Sequence, residues 1–235
     1  AGKSYVVFGK NTETAINLSD IENGVGGFVI NGQTVGDTSG ISVSGAGDVN
    51  GDGLDDVIVG ASMATAGGIS AAGKSYVVFG KRSGTATDLS AVEGGTGGFV
   101  INGQTTGDLS GSSVSAAGDV NGDGLADLIV GAPNIGAGKS YVVFGKSTGT
   151  AINLSAVASG IGGFVMYGQA VNDQSGCSVS GAGDVNGDGL ADLIVGAVTA
   201  DPSGLSTAGK SYVVFGKSTG TAINLSAVEA GTGGF

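Results

Sequence analysis

The chain has 235 residues, with 50 glycines, one cysteine, no histidine and a formal charge of −11 at pH 7. That charge argues against nucleic acid, whose phosphates demand a basic surface. The missing histidine removes Ser-His-Asp and Cys-His nucleophile activation and the usual zinc ligands, and a lone cysteine excludes an internal disulfide.

The decapeptide Ala-Gly-Lys-Ser-Tyr-Val-Val-Phe-Gly-Lys opens the chain at residues 1–10 and returns verbatim at 72–81, 137–146 and 208–217. Its β-branched and aromatic run, bounded by glycine, predicts a strand. The stretch at 15–21, with its counterpart at 151–157, predicts a short helical turn. Gly-Gly-Phe, ending at Phe28, Phe99, Phe164 and Phe235, opens the next strand in each copy. Asp37, Asp108 and Asp173 share an Asp-x-Ser-Gly context and read as turn formers ahead of a strand at 40–44, 111–115 and 176–180.

An acidic loop of pattern D-x-N-x-D-G-x-x-D follows each of these strands, at 48–56, 119–127 and 184–192. Oxygen ligands at alternate positions around a turn glycine suit a hard cation, and calcium takes about six to eight oxygens at about 2.3–2.6 Å. The candidate ligands are Asp48, Asn50, Asp52 and Asp56 with the Leu54 carbonyl in the first loop. The second offers Asp119, Asn121, Asp123, Asp127 and the Leu125 carbonyl, and the third Asp184, Asn186, Asp188, Asp192 and the Leu190 carbonyl. Three calcium sites are expected. Position eight holds Asp55 in one loop but Ala126 and Ala191 in the others, so a carboxylate there is dispensable. An EF-hand is excluded, because its bidentate Glu at position twelve is replaced by Val59, Val130 or Val195.

Those valines belong to Asp-(Val/Leu)-Ile-Val-Gly-Ala, at 56–61, 127–132 and 192–197. Uninterrupted apolar strands suit a sheet covered on both faces. The connection that follows differs in length between repeats, 62–71 against 133–136, which marks a surface loop. The lysines of the Lys-Ser-Tyr strands read as solvated edges that oppose aggregation. Cys177, aligned with Ile41 and Ser112, reads as a small buried hydrophobe.

Four short strands per repeat predict an all-β fold, a β-propeller of four-stranded blades. Phe-Gly, Gly131-Ala132-Pro133 and the D-x-N-x-D-G-x-x-D loop together resemble the FG-GAP repeat family, which includes the propeller of integrin α subunits and many bacterial surface proteins. The resemblance implies calcium held between the first and second strands of a blade. Gly-Ala-Ser at 60–62 and Gly-Ala-Val at 196–198 depart from the Pro-containing form without touching the loops.

The expected division is a half blade at 1–36 and blades at 37–107, 108–172 and 173–235, the last truncated in its fourth strand. About three and a half blades fall short of the roughly four to eight of a closed propeller. Further blades are therefore expected from the same longer chain or another copy. No apolar run is long enough to span a membrane. Calcium favours an extracellular or cell-surface location, since extracellular modules bind it at about 10⁻⁴–10⁻³ M. The expected function is a non-enzymatic adhesion or protein-interaction module with a protein or cell-surface ligand. A repeat protein of a surface layer or filament, and an accessory domain of a secreted enzyme, are the alternatives.

Overall fold

The computed structural model describes residues 1–235. The first sheet pairs β1 (Lys3–Val7), through the short helix α1 (Leu18–Glu22), with β2 (Gly27–Asn31). Blade one contains β3 (Ser42–Gly47), β4 (Asp56–Ala61), β5 (Lys74–Val78), a two-residue β6 (Thr87–Asp88), α2 (Leu89–Glu93) and β7 (Gly98–Asn102). Blade two repeats this order as β8 (Ser113–Gly118), β9 (Asp127–Ala132), β10 (Lys139–Val143), β11 (Ile152–Asn153), α3 (Leu154–Ala158) and β12 (Gly163–Tyr167). Blade three has β13 (Ser175–Gly183), β14 (Asp192–Ala197), β15 (Lys210–Val214), β16 (Ile223–Asn224) and α4 (Leu225–Glu229). Phe235 then exchanges two backbone hydrogen bonds with Val213, at 2.8 and 3.0 Å, where the fourth strand begins.

Each full blade is an antiparallel meander, β3-β4-β5-β7 in blade one and β8-β9-β10-β12 in blade two. The fold is all-β, and the helical turns expected at 15–21 and 151–157 are present as α1 and α3. A fifth, parallel strand was not legible in the sequence. The two-residue strands β6, β11 and β16 each add to the outer edge of the preceding sheet. Asn31 donates to Asp88 at 2.9 Å and Asn102 to Asn153 at 3.2 Å along that seam. Two residues of each outer strand are thereby paired, which shortens the edge open to foreign strands.

Apolar cores lie between successive sheets, as the uninterrupted strands require. Leu128 and Val130 of β9 face blade one, in one cluster with Ile58 and Val77, while Ile129 joins Val195 and Tyr212 of blade three. Side chains alternate across a strand, so both faces of β9 are covered. Close packing needs glycine at the crossing points. A Cβ on Gly60 would sit 2.1 Å from the Gly111 carbonyl oxygen, and one on Gly131 would sit 2.0 Å from that of Gly176.

The lysine expectation needs correction. Lys81, Lys146 and Lys217 stand 4.4 Å over the rings of Phe28, Phe99 and Phe164 of the preceding blade. Lys74 is 7% exposed and ion-paired to Glu93 at 2.7 Å. The three ring-facing lysines link successive blades, because a partly desolvated ammonium over a ring is stabilised by the ring quadrupole, whereas the Lys74–Glu93 pair lies within blade one. Cys177 is half-buried, its thiol 3.6 Å from the Gly196 carbonyl oxygen.

Candidate metal loops

Each acidic loop leaves its first strand through a β-bulge. In blade one the register shifts between Gly45 and Gly47, and the same shift falls between Ala116 and Gly118 and between Gly181 and Gly183. Bulges re-aim the chain at functional turns, and here the next residue is the first-position aspartate. The sixth-position glycines Gly53, Gly124 and Gly189 take φ of 84°, 87° and 92°, the left-handed region that glycine reaches without strain.

The loop carboxylates are turned onto the loop's own amides. Asp48 Oδ1 accepts from the Gly51 and Asp52 amides at 2.7 and 3.0 Å, and Oδ2 from Gly53 at 2.9 Å. Asn50 Oδ1 accepts from the Asp52 amide at 2.8 Å, while its Nδ2 donates to Asp52 Oδ2 at 3.0 Å. Asp52 Oδ1 accepts from the Leu54 amide at 2.9 Å. The second loop repeats this set through Asp119, Asn121, Asp123 and Leu125, and the third through Asp184, Asn186, Asp188 and Leu190.

The ninth-position aspartates sit apart, buried beneath the loops at 0% exposure for Asp56, Asp127 and Asp192. Asp56 accepts from Val49 at the loop's start and from Gly80 beyond β5, at 2.9 and 2.7 Å. Asp127 bridges the Val120 and Gly145 amides in the same way, and Asp192 those of Val185 and Gly216. The structure thus brings the first, third and fifth positions together in one turn and places the ninth in a joint below them. No three acidic side chains are gathered on a single ligating point.

The chemistry of the donor set fits a hard cation. Every candidate donor is oxygen, and none of the chain's four ion pairs involves a loop carboxylate. Backbone amides are thus the loop carboxylates' partners, and no cationic side chain pairs with them. Burial pushes the Asp56 carboxyl up to about 6, with Asp52 and Asp48 adding to the rise and the Gly80 and Val49 amides opposing it. Asp127 is pushed up to about 7, again by burial first, with Asp123 and Asp119 contributing. These are groups that a nearby divalent ion would return to the ionised form.

Successive loops also touch, which the sequence did not reveal. The Ala126 amide donates to the Asp48 carbonyl at 3.1 Å, and Ala191 to Asp119 at 2.9 Å. Lys146 donates through its amide to the Val49 carbonyl at 2.8 Å. Position eight of one loop is therefore the docking point on the loop before it. A Cβ on Gly47 would sit 2.8 Å from that of Ala126, and one on Gly118 2.7 Å from that of Ala191. Asp55 occupies position eight where no preceding loop packs on it, and it is exposed.

The FG-GAP repeat model matches residues 39–78, 110–143 and 178–214, each match running from the first strand through the acidic loop to the third strand. The chain carries three FG-GAP repeats. It is 38% identical to integrin alpha-7 of Mus musculus over 91 residues, 38% of this chain and 7% of that protein. It is 32% identical to integrin alpha-PS5 of Drosophila melanogaster over 179 residues, 74% of this chain and 16% of that protein. Integrin alpha-E of Mus musculus matches at 39% over 100 residues, 37% of this chain and 8% of that protein. The FG-GAP chain thus spans less than a fifth of the length of these curated relatives. The three-and-a-half-blade array corresponds to propeller blades of the family. No helix is long and apolar enough to cross a membrane.

Proposed function

We propose that this FG-GAP chain is a calcium-stabilised β-propeller segment acting outside the cell as a non-enzymatic adhesion or protein-interaction module. The observation that carries the reading is the threefold, in-register recurrence of an all-oxygen loop at the turn from first to second strand. The ligands would be Asp48, Asn50, Asp52, Asp56 and the Leu54 carbonyl in blade one. Asp119, Asn121, Asp123, Asp127 and the Leu125 carbonyl would serve blade two, with Asp184, Asn186, Asp188, Asp192 and the Leu190 carbonyl in blade three. A bound Ca²⁺ supplies positive charge where several carboxylates crowd.

The protein's own part is mechanical. Asp56 already ties the Val49 amide at the loop's start to that of Gly80, two residues beyond β5, and the Asp48 carbonyl ties blade one to blade two. A loop held in one conformation therefore fixes the blade joint. The similarity to integrin α chains supports an adhesion role, with recognition falling to the variable connections at 62–71 and 198–207. The test is a thermal melt in millimolar calcium and in chelator, paired with calorimetric titration. A ligand that binds only the folded state at a hundred times its Kd stabilises by about 2.7 kcal/mol. An unchanged midpoint and no binding heat would refute the calcium reading.

A further inference from the structure

Neighbouring acidic loops are joined by a run of hydrogen bonds that begins and ends on their own candidate ligands. Asp56 accepts from the Val49 amide at 2.9 Å, and the Val49 carbonyl accepts from the Lys146 amide at 2.8 Å. Lys146 follows Gly145, whose amide donates to Asp127 at 2.8 Å. The ninth-position aspartates of loops one and two are thus linked through Val49 on one blade and Gly145-Lys146 on the next. Asp56, Val49 and Asp127 are each 0% exposed, so water does not compete for this path.

A second bond runs beside it. The amide of Ala126, one residue before Asp127, donates to the carbonyl of Asp48, the first-position candidate of loop one, at 3.1 Å. The next junction repeats the plan, with Ala191 on the Asp119 carbonyl at 2.9 Å and Gly216 on Asp192 at 2.8 Å. The fit is close. A Cβ on Gly145 would sit 2.7 Å from the Ala126 carbonyl oxygen and 3.0 Å from that of Val49. A Cβ on Gly51 would sit 3.1 Å from Leu125 Cδ2, so the seventh-position residue of loop two lies against loop one.

We propose that the three loops take up calcium as a coupled set, an ion in one loop raising the affinity of its neighbour through these interblade bonds. Ordering loop one fixes the Asp48 and Val49 carbonyls, which then hold Ala126 and Lys146. Those two amides flank the contacts of Asp127, so loop two has less conformational freedom left to lose when its own ion binds. Linkage requires the same factor in both directions, loop two on loop one as much as loop one on loop two. Coupling by direct contact also runs between neighbours only, so loops one and three communicate through loop two. This coupling rests on the calcium reading and can fail while that reading stands.

The test weakens one loop at its exposed fifth position with an isosteric change and titrates the full chain with calcium. NMR follows each loop separately through the amide of its sixth-position glycine, Gly53, Gly124 or Gly189. Asp123→Asn should lower the affinity of loops one and three by about fivefold or more, within the usual range of coupling between sites. Asp52→Asn should lower that of loop two and leave loop three unmoved. A second readout uses the Asp123→Asn/Asp188→Asn double variant, in which loop one alone keeps all its ligands. Calcium should there slow hydrogen exchange at Ala126 and Lys146, which belong to blade two. Gly145→Ala keeps every ligand and should weaken the coupling by parting the loops. Circular dichroism checks its fold, and the exchange result stands without it. No binding at any loop refutes the calcium reading and the coupling with it. Binding with affinities unmoved by a neighbour's loss, or without added protection at Ala126 and Lys146, overturns the coupling alone.

Discussion

At the scale of single residues, small differences between otherwise identical repeats act as substitutions already made. The helices α1, α2 and α4 end in Glu22, Glu93 and Glu229, each within 2.6–2.7 Å of a β-strand lysine. In α3 that residue is Ala158, and Lys139 turns to Asp108 at 3.4 Å. Tyr141 is left with an unpartnered buried hydroxyl, while Tyr76 and Tyr212 donate to Gln33 and Gln169 at 3.2 and 2.9 Å. Ala158→Glu should restore the shorter pair and stabilise by about 0.5–1 kcal/mol, the range of a partly exposed ion pair. A melting midpoint that fails to rise refutes that account. Position eight of the loops makes the opposite case. Ala126→Asp, a change to the residue blade one carries at Asp55, places a carboxylate on the face that docks against Gly47. It should destabilise by about 1–3 kcal/mol in a denaturant titration, whereas Asp55→Ala should stay within about 0.5 kcal/mol as an exposed change.

At the scale of elements, the second strand is covered on both faces in blade two, where all six residues of β9 are buried, while β14 of blade three leaves Ile194 exposed. Its glycine is a crossing point in β4 and β9 but not in β14, where the nearest atom to a Cβ on Gly196 is 3.5 Å away. The prediction is a contrast at one repeat position. Gly131→Ala should cost about 1–3 kcal/mol by forcing blades two and three apart, and Gly196→Ala about 0.5 kcal/mol or less. Equal effects in chemical denaturation would show that the blade junction is not what reserves the position for glycine. The strand itself was readable from its uninterrupted apolar run. Which of its residues face the preceding or following blade was not, because alternation alone does not say which neighbour lies on which side.

At the scale of the whole molecule, stability is distributed over blade junctions in the manner of repeat proteins, and the buried carboxylates make it depend on pH. Asp56 and Asp127 have folded values of about 6 and about 7, above the unfolded carboxyl value near 3.9. The folded state therefore binds protons more tightly, and stability from this source is fully present below that unfolded value. It is lost as pH rises through the folded values. In chelator the melting midpoint should be higher at pH 5 than at pH 8. In excess calcium the gap should shrink or reverse, because the ligands must be ionised. A chelated protein that melts higher at pH 8 would refute this.

The sequence by itself determined the repeat, its four strands, the short helical turns and three acidic loops with their turn glycines. All of these are written in runs of fewer than about ten neighbouring residues, the range over which strand, turn and ligand patterns operate. Tertiary structure alone decided the rest. It set Lys81 over Phe28, laid the two-residue strands on the previous sheet, and docked Ala126 on Asp48. It also buried Asp56, Asp127 and Asp192 beneath their loops. Each such contact joins an element to a partner in another repeat or to a distant turn, and identical copies do not announce which of their faces is covered. Only the stacking of one blade on the next removes water from one side and leaves it on the other.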